Sequence, residues 1–227
     1  MGTYIPALQE YESQLYEEFS SVINARTTPI IAIGGFSGTG KSITALFIQE
    51  YFRKVHNTYL KISEAGDFIR KIAIDSGWKE RNLDEFMKHI QMTQNEEFAQ
   101  KVDIEIEKRA LKTALLEGGI FIGRLAPFAI GTNGLTIWLE VAARVIAQRI
   151  SNDIKRPEYG MDIKELIQRI KKRDKTDGER LESIYRISFR DKKSFNLTLR
   201  NEGFSIEELK KKIKELLIEN FPPPNKA

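Results

Sequence analysis

The sequence predicts an α/β fold: a three-layer α/β/α core around a five-stranded parallel sheet, with a helical lid and an extra N-terminal helix. Three observations carry this. Five short apolar runs, bounded by glycine or polar residues, alternate with longer segments of helical periodicity, the pattern of strands joined by crossover helices. The first run ends in four glycines between Gly34 and Gly40, followed by Lys41 and Ser42. A long, highly charged helical segment separates the fourth run from the fifth.

The elements follow in order. Residues 4–26 read as one amphipathic helix that ends before "TTP". Its apolar positions Leu8, Tyr11, Leu15 and Phe19 recur every three or four residues, so one face is expected to dock on the core or on a second subunit. "IIAIGG" is the first buried strand, and residues 41–55 carry a helical period. "TYLKIS" (58–63) is the second strand. Residues 67–116 are mostly helical, broken near Gly77 and Trp78. "GIFIG" (119–123), "LTIWLEV" (135–141) and "FNLTLRN" (195–201) complete the sheet, with helix over 142–190 interrupted at "KRPEYG". The last helix opens on Ser205 and Glu208, a capping box, and Ile206, Leu209, Ile213 and Leu216 are expected to line its inner face. "FPPPNKA" cannot continue a helix. The domain plan is thus a helical extension over 1–27, a core over 28–220 with a lid over about 150–192, and a tail over 221–227.

Composition narrows the class. With 227 residues, 41% hydrophobic and 30% charged, the chain can bury a core and is not disordered. No apolar run reaches the roughly 18–20 residues that span a bilayer, and the acidic, amphipathic N-terminus is unlike a secretory signal. There are no cysteines, which excludes disulfides, thiolate metal sites and cysteine nucleophiles. Two histidines, His56 and His89, argue against a histidine-built metal site and are expected on surfaces or loops. A cytoplasmic protein without a membrane partner is expected. The net charge of +4 is uneven: 14 Lys or Arg face 9 Asp or Glu between Arg149 and Lys193, so this segment is either a solvated helical surface or one that meets a polyanion.

Residues 35–42, Gly35-Phe36-Ser37-Gly38-Thr39-Gly40-Lys41-Ser42, match G-x-x-x-x-G-K-[ST] between a strand and a helix. Such a loop turns successive backbone N–H groups, here through Ile43, onto phosphate oxygens, and the following helix adds its positive end. Lys41 is expected to reach the β- and γ-phosphates of ATP, and the Ser42 hydroxyl to complete the shell of Mg2+. The third strand ends not in the Asp of motor-type nucleotidases but at Gly123-Arg124, which suits an anionic acceptor better than a metal.

Three further segments fit that reading. "EAGDFIR" (64–70) follows the second strand, with Gly66 allowing a tight turn and Arg70 one helical turn on. "GRLA" (123–126) follows the third, and "RDKTDGER" (173–180) sets Arg173 and Arg180 on one helical face. Ligands bind at the carboxyl ends of strands in such sheets. Asp67 and Asp103 read as a helix-start and a surface carboxylate, and Trp138 as core.

From Ile30 to about Leu217 the chain resembles the cytidylate kinases, especially their short archaeal-type members. The resemblance rests on the phosphate loop, A-G-D-x-x-R at Ala65–Arg70, G-R-L-A, "IWLEV", and the R-D-x-x-D-x-x-R spacing at Arg173, Asp174, Asp177 and Arg180. It implies a P-loop kinase core that transfers the γ-phosphate of ATP to a nucleoside monophosphate, CMP or dCMP. It implies that Arg70 and Arg124 hold the acceptor phosphate, that Arg149, Arg173 and Arg180 stabilise the phosphoryl group in flight, and that Asp177 positions the sugar or the lid. The chain departs from the family at Ile122, where an acidic residue is common, and at Phe195-Asn196, where Tyr-Asp is common. Two other readings stay open: a P-loop kinase for another small metabolite, and a nucleotide-dependent regulatory protein using the basic segment for RNA. The lid spacing disfavours nucleic acid. The N-terminal helix is the candidate contact for a homodimer.

Overall fold

The computed structural model describes residues 2–79, 85–86, 96–152, 154, 158–189, 195–200 and 205–224. His89, Asn201, and parts of the break at 155–160 and of the C-terminal tail lie outside them. The described helices and strands are, in order, a 3-10 turn Pro6–Leu8, α1 Gln9–Ala25, β1 Ile30–Gly34, α2 Lys41–Val55, β2 Ile62–Glu64, α3 Ala65–Asp75, α4 Glu96–Glu117, β3 Gly119–Ile122, α5 Ala126–Ile130, a 3-10 turn Gly131–Asn133, β4 Leu135–Glu140, α6 Ala143–Ser151, α7 Ile163–Tyr185, β5 Leu197–Arg200 and α8 Ile206–Asn220.

All pairings are parallel, in the order β2–β3–β1–β4–β5. β1 is central and buried throughout, so the period-2 alternation of a strand sends apolar side chains into two cores. Ile31 and Ile33 join Ile137, Leu139 and the inner faces of α2 and α8. Ile30 and Ala32 join Phe121, Trp138 and residues of α3, α4 and α5. A third, smaller cluster, Ile146, Ala147 and Ile150 against Leu166 and Ile170, packs α6 on α7. The C-terminal half of α7 returns to the main core through Leu181 and Tyr185.

The N-terminal segment is built into that core. Leu8 and Leu15 are buried, and Tyr11 and Phe19 pack against the same cluster, beneath the ammonium groups of Lys108 and Lys112 on α4. These four positions are therefore covered within the chain. Glu12, 8% exposed, accepts from the Thr3 backbone at 3.0 Å and from the Asn133 side chain. Tyr4 N donates to Phe128 O at 2.8 Å.

Three expectations are corrected. The second strand starts only at Ile62, because Asn57 turns through the left-handed region (φ 49°) and Thr58 N still donates to Phe52 O. α8 buries Leu209, Ile213 and Leu217, while Ile206 is exposed and Leu216 only half-buried. Ile206 directly follows the Ser205 cap, at the start of the helix. β5 starts at Leu197, because the Asn196 side chain is engaged by Thr136 N and Oγ1 at 2.8 and 2.9 Å. That contact gives the Asn196 departure a structural role, and Phe195 packs between Phe128 and Trp138.

Candidate active site

The glycine loop leaves β1 at Gly34 and enters α2 at Lys41. Two of its glycines are sterically required. Gly35 has φ +138° and a Cβ there would lie 2.4 Å from Leu139 O, while Gly38 has φ +78° and its Cβ would lie 2.7 Å from Ile146 of α6. Gly40 caps α2 in the left-handed conformation, and Thr39 ties the turn by donating to Phe36 O at 2.9 Å. Ser37 is half-buried in the loop, whereas Ser42 and Ile43 lie exposed on the first turn of α2.

Lys41 Nζ curls back and donates to Gly35 O and Phe36 O, both at 2.8 Å. Burial, assisted by the nearby Arg124 guanidinium, pushes its pKa down to about 8. It is a half-buried ammonium with carbonyl partners and no ion pair among the described residues, so an anion in the loop would restore its charge. This fits a nucleotide phosphate chain. For a metal the fit is narrower: the described residues hold no cluster of three His, Asp or Glu ligands. The exposed Ser42 hydroxyl suits an ion that arrives with phosphates and keeps its waters.

Around the loop, each arginine singled out by the sequence rests on the protein itself. Arg149 of α6 donates to Gly38 O at 3.3 Å. Arg70 of α3 pairs with Asp67 at 2.9 Å, and Asp67 also closes the α3 capping box with Glu64. Arg124, just past β3, pairs with Asp177 of α7 at 2.6 Å and lies over the Phe36 ring. Arg173 is 4.0 Å from Asp174, and Arg180 pairs with Asp103 of α4. The structure thus brings Arg124, Arg149 and Asp177 to the loop. Arg70 and Arg180 stand on the two helices, α3 and α7, that flank the ends of β2 and β3.

Gly66 is not a turn: it lies in the first turn of α3, and a Cβ there would meet nothing within 4 Å. It leaves space open beside Arg70. Asp103 is not a free surface carboxylate: burial raises its pKa against the pull of Arg180. Burial likewise raises Asp174, whose Oδ1 has no hydrogen-bond partner, with Arg173, Arg124 and Lys41 pulling the other way. His56 packs its ring between Tyr51 and Phe52 at the end of α2. Ile122 belongs to the α2-side core.

Sequence reasoning missed two features. Phe36 is the head of an aromatic chain through Trp138, Phe189, Phe128 and Phe195, with α7 at Gly178 against Phe36 and Phe189. Glu107 of α4 is 8% exposed, and burial beside Asp103 drives its pKa up to about 8. It lines a narrow cavity with Ser63, Ala65 and Gly123 at the ends of β2 and β3.

A parallel sheet in this order, with a phosphate loop after its central strand and arginines converging on that loop, defines a P-loop phosphotransferase. No family model matches the chain. It is 30% identical over 182 residues to the cytidylate kinase of Methanocaldococcus jannaschii, covering 78% of this chain and 91% of that protein. It is 28% identical over 179 residues to that of Pyrococcus horikoshii, covering 78% and 82%. The chain belongs to the cytidylate kinase family. Among solved structures, an uncharacterised protein from Eubacterium ventriosum superposes with TM-score 0.58 at 17% identity, over 85% of this chain and 99% of that one. Shikimate kinase from Acinetobacter baumannii, in complex with shikimate, gives 0.51 at 13% identity over 88% and 98%. These two share the fold.

Proposed function

We propose that the protein transfers the γ-phosphate of ATP to cytidylate or deoxycytidylate, with the acceptor in the cleft between α3, the end of β3 and α7. The observation that carries this reading is Arg124, directly past β3 and over the Phe36 ring of the phosphate loop, together with Arg70 on α3, the helix that follows the adjacent strand β2. Each is held by one carboxylate that a phosphate monoester can replace with a stronger, bidentate partner. The names of the archaeal relatives support cytidylate as that monoester.

Phosphoryl transfer asks for alignment and charge neutralisation more than covalent chemistry. The loop amides from Gly38 to Ile43 and the end of α2 bind the donor phosphates. Lys41 exchanges its carbonyl partners for phosphate oxygens. Mg2+, with Ser42 as its protein ligand, would neutralise charge between the phosphates. Arg70 and Arg124 orient the acceptor. Asp177, released from Arg124, is placed for the sugar, and Arg149, Arg173 and Arg180 come over the transferred group as α6 and α7 close. Closure excludes water, which would otherwise accept the phosphate. A coupled assay with ATP and a panel of cytidylate, uridylate, adenylate, guanylate and shikimate tests this. Highest kcat/KM for cytidylate is expected, and transfer to shikimate alone would overturn it.

A further inference from the structure

Asp103 and Glu107 stand one turn apart on the same face of α4, and both are drawn in from solvent: Glu107 is 8% exposed and Asp103 half-buried. Across from them, α7 presents Arg180 and Tyr185. Arg180 donates to Asp103, while Glu107 has no hydrogen bond or ion pair to a described residue. The Tyr185 ring is 1% exposed, and burial beside the two carboxyls keeps its hydroxyl protonated, so it brings no counter-charge. The other elements packed here have their charges engaged elsewhere. On α3, Asp67 pairs with Arg70, Asp75 with Arg109, and Lys71 lies over the Phe68 ring. α1 meets α4 with Tyr11 and Phe19 beneath Lys108 and Lys112. β2 offers the Ser63 hydroxyl, and its Glu64 caps α3. The cavity that Glu107 lines, about 10 Å³, holds no more than about one water.

One guanidinium thus serves two carboxyls that water hardly reaches. Burial beside Asp103 holds the Glu107 pKa up to about 8, so at neutral pH the group is balanced as a protonated Glu107 and an Asp103–Arg180 ion pair. The Arg180 side chain is exposed and free to leave as α7 moves. Its departure would strand a negative charge on Asp103, which is costly in this setting. The vacated pair therefore keeps at least one proton, carried by Glu107 and shared with Asp103. Below about pH 8 that proton is already in place. Above it, Glu107 has ionised beside the bound guanidinium, and Arg180 can go only as a proton comes in. We infer that Asp103 and Glu107 are positioning residues, a berth that holds Arg180 on α4 in the resting site and releases it together with proton uptake. The assignment rests on the proposed function, in which Arg180 comes over the transferred group.

The full chain, as wild type, Glu107→Gln, Arg180→Ala and the double variant, is titrated with a bisubstrate ligand, adenosine and cytidine joined through a pentaphosphate, at about pH 7 and about pH 9. Calorimetry in buffers of different ionisation heat counts the protons taken up. Between the two pH values the wild type is expected to lose about 10-fold more affinity than Glu107→Gln, and at the higher pH to take up about one more proton. The contribution of Lys41 is common to both chains and cancels. In the Arg180→Ala background the berth is vacant before the ligand arrives, so adding Glu107→Gln is expected to change neither quantity. A merely structural Glu107 would shift affinity alike at both pH values and in both backgrounds. That pattern, or equal proton counts for wild type and Glu107→Gln, would overturn the berth while leaving the proposed function intact. Should Glu107→Gln not fold, wild type against Arg180→Ala carries the test, with about one proton fewer expected for Arg180→Ala at the higher pH and equal counts overturning the berth. An Arg180→Ala chain with wild-type kcat would overturn both the berth and the part given to Arg180 in phosphoryl transfer.

Discussion

Removal of residues 1–27 is expected to unfold the protein rather than yield a minimal kinase. The family resemblance begins at Ile30, yet Ile5, Leu8, Leu15 and Ile23 are 0%, 0%, 2% and 6% exposed in the main core. Burying each such side chain stabilises by about 1.5–3 kcal/mol, so the four together contribute about 6–12 kcal/mol. A domain of this size has only about 5–15 kcal/mol in total. The deletion also strips Glu12 from Thr3 and Asn133 and bares the α4 face beneath α1. A single substitution grades the effect: Leu15→Ala should cost about 3 kcal/mol, lowering Tm by about 6–12 °C. Its kcat, measured well below the transition, should match wild type, since Leu15 touches no site residue. Urea and thermal unfolding followed by circular dichroism read both changes. A truncated chain that melts cooperatively within about 3 °C of the full chain would refute the reasoning.

Lys41→Ala is expected to abolish phosphoryl transfer while unfolding near the wild-type temperature, because Lys41 contacts only loop carbonyls; wild-type turnover would remove the loop assignment. Arg173→Ala should lower kcat by roughly 10³ with little change in acceptor KM, and a pure KM effect would deny it a transition-state role. ATP affinity should weaken as pH rises past about 8, because bound phosphate must then draw in the proton that Lys41 has lost; calorimetric titrations in buffers of different ionisation heat detect that uptake. Folding stability should fall as pH rises from 4.5 to about 8 through Glu107. The folded carboxyl stays protonated where the unfolded one ionises, so the folded state binds more protons across that window, a drift on the order of a few kcal/mol. In Glu107→Gln this part of the slope should vanish; a slope equal to wild type would place the titration elsewhere.

The phosphate loop and the sheet were legible because their signals are local. A strand, a run of glycines, a lysine and a helix stand within 26 consecutive residues, from Ile30 to Val55, and each alternation of apolar residues maps onto one strand. The proposed acceptor arginines were picked out for a similar reason, since Arg124 follows the end of β3 and Arg70 lies on the helix that starts directly after β2. Glu107 and Asp103 were not, because they are packed against Arg180 and Tyr185 of α7, an element distant in sequence. A signal did exist: Asp103, Glu107, Ala110 and Ala114 fall at helical spacing on one face, and the two alanines are buried. Two carboxylates on a small-residue face mark a polar recess rather than a solvated surface. Gly66 shows the converse, a glycine whose meaning is not a backbone angle but the space left beside it.

The ion pairs around the cleft show how so much positive charge coexists with a stable fold. A half-buried cation left alone is costly, and Arg124 avoids this by pairing with Asp177, while the exposed Arg70 and Arg180 pair with Asp67 and Asp103. Two of those pairs also join elements: Arg124–Asp177 ties α7 to the end of β3, and Arg180–Asp103 ties it to α4. Under the proposed acceptor reading, a phosphate that displaces Asp177 from Arg124 does two things at once. It satisfies the guanidinium with a more highly charged, bidentate partner, and it frees an α7 carboxylate for the sugar hydroxyls. A neutral acceptor can do neither, since it leaves the Arg124–Asp177 pair in place and the cleft occupied by its own side chains. On that reading, selection for a monophosphate begins with these ion pairs, before any contact with the base.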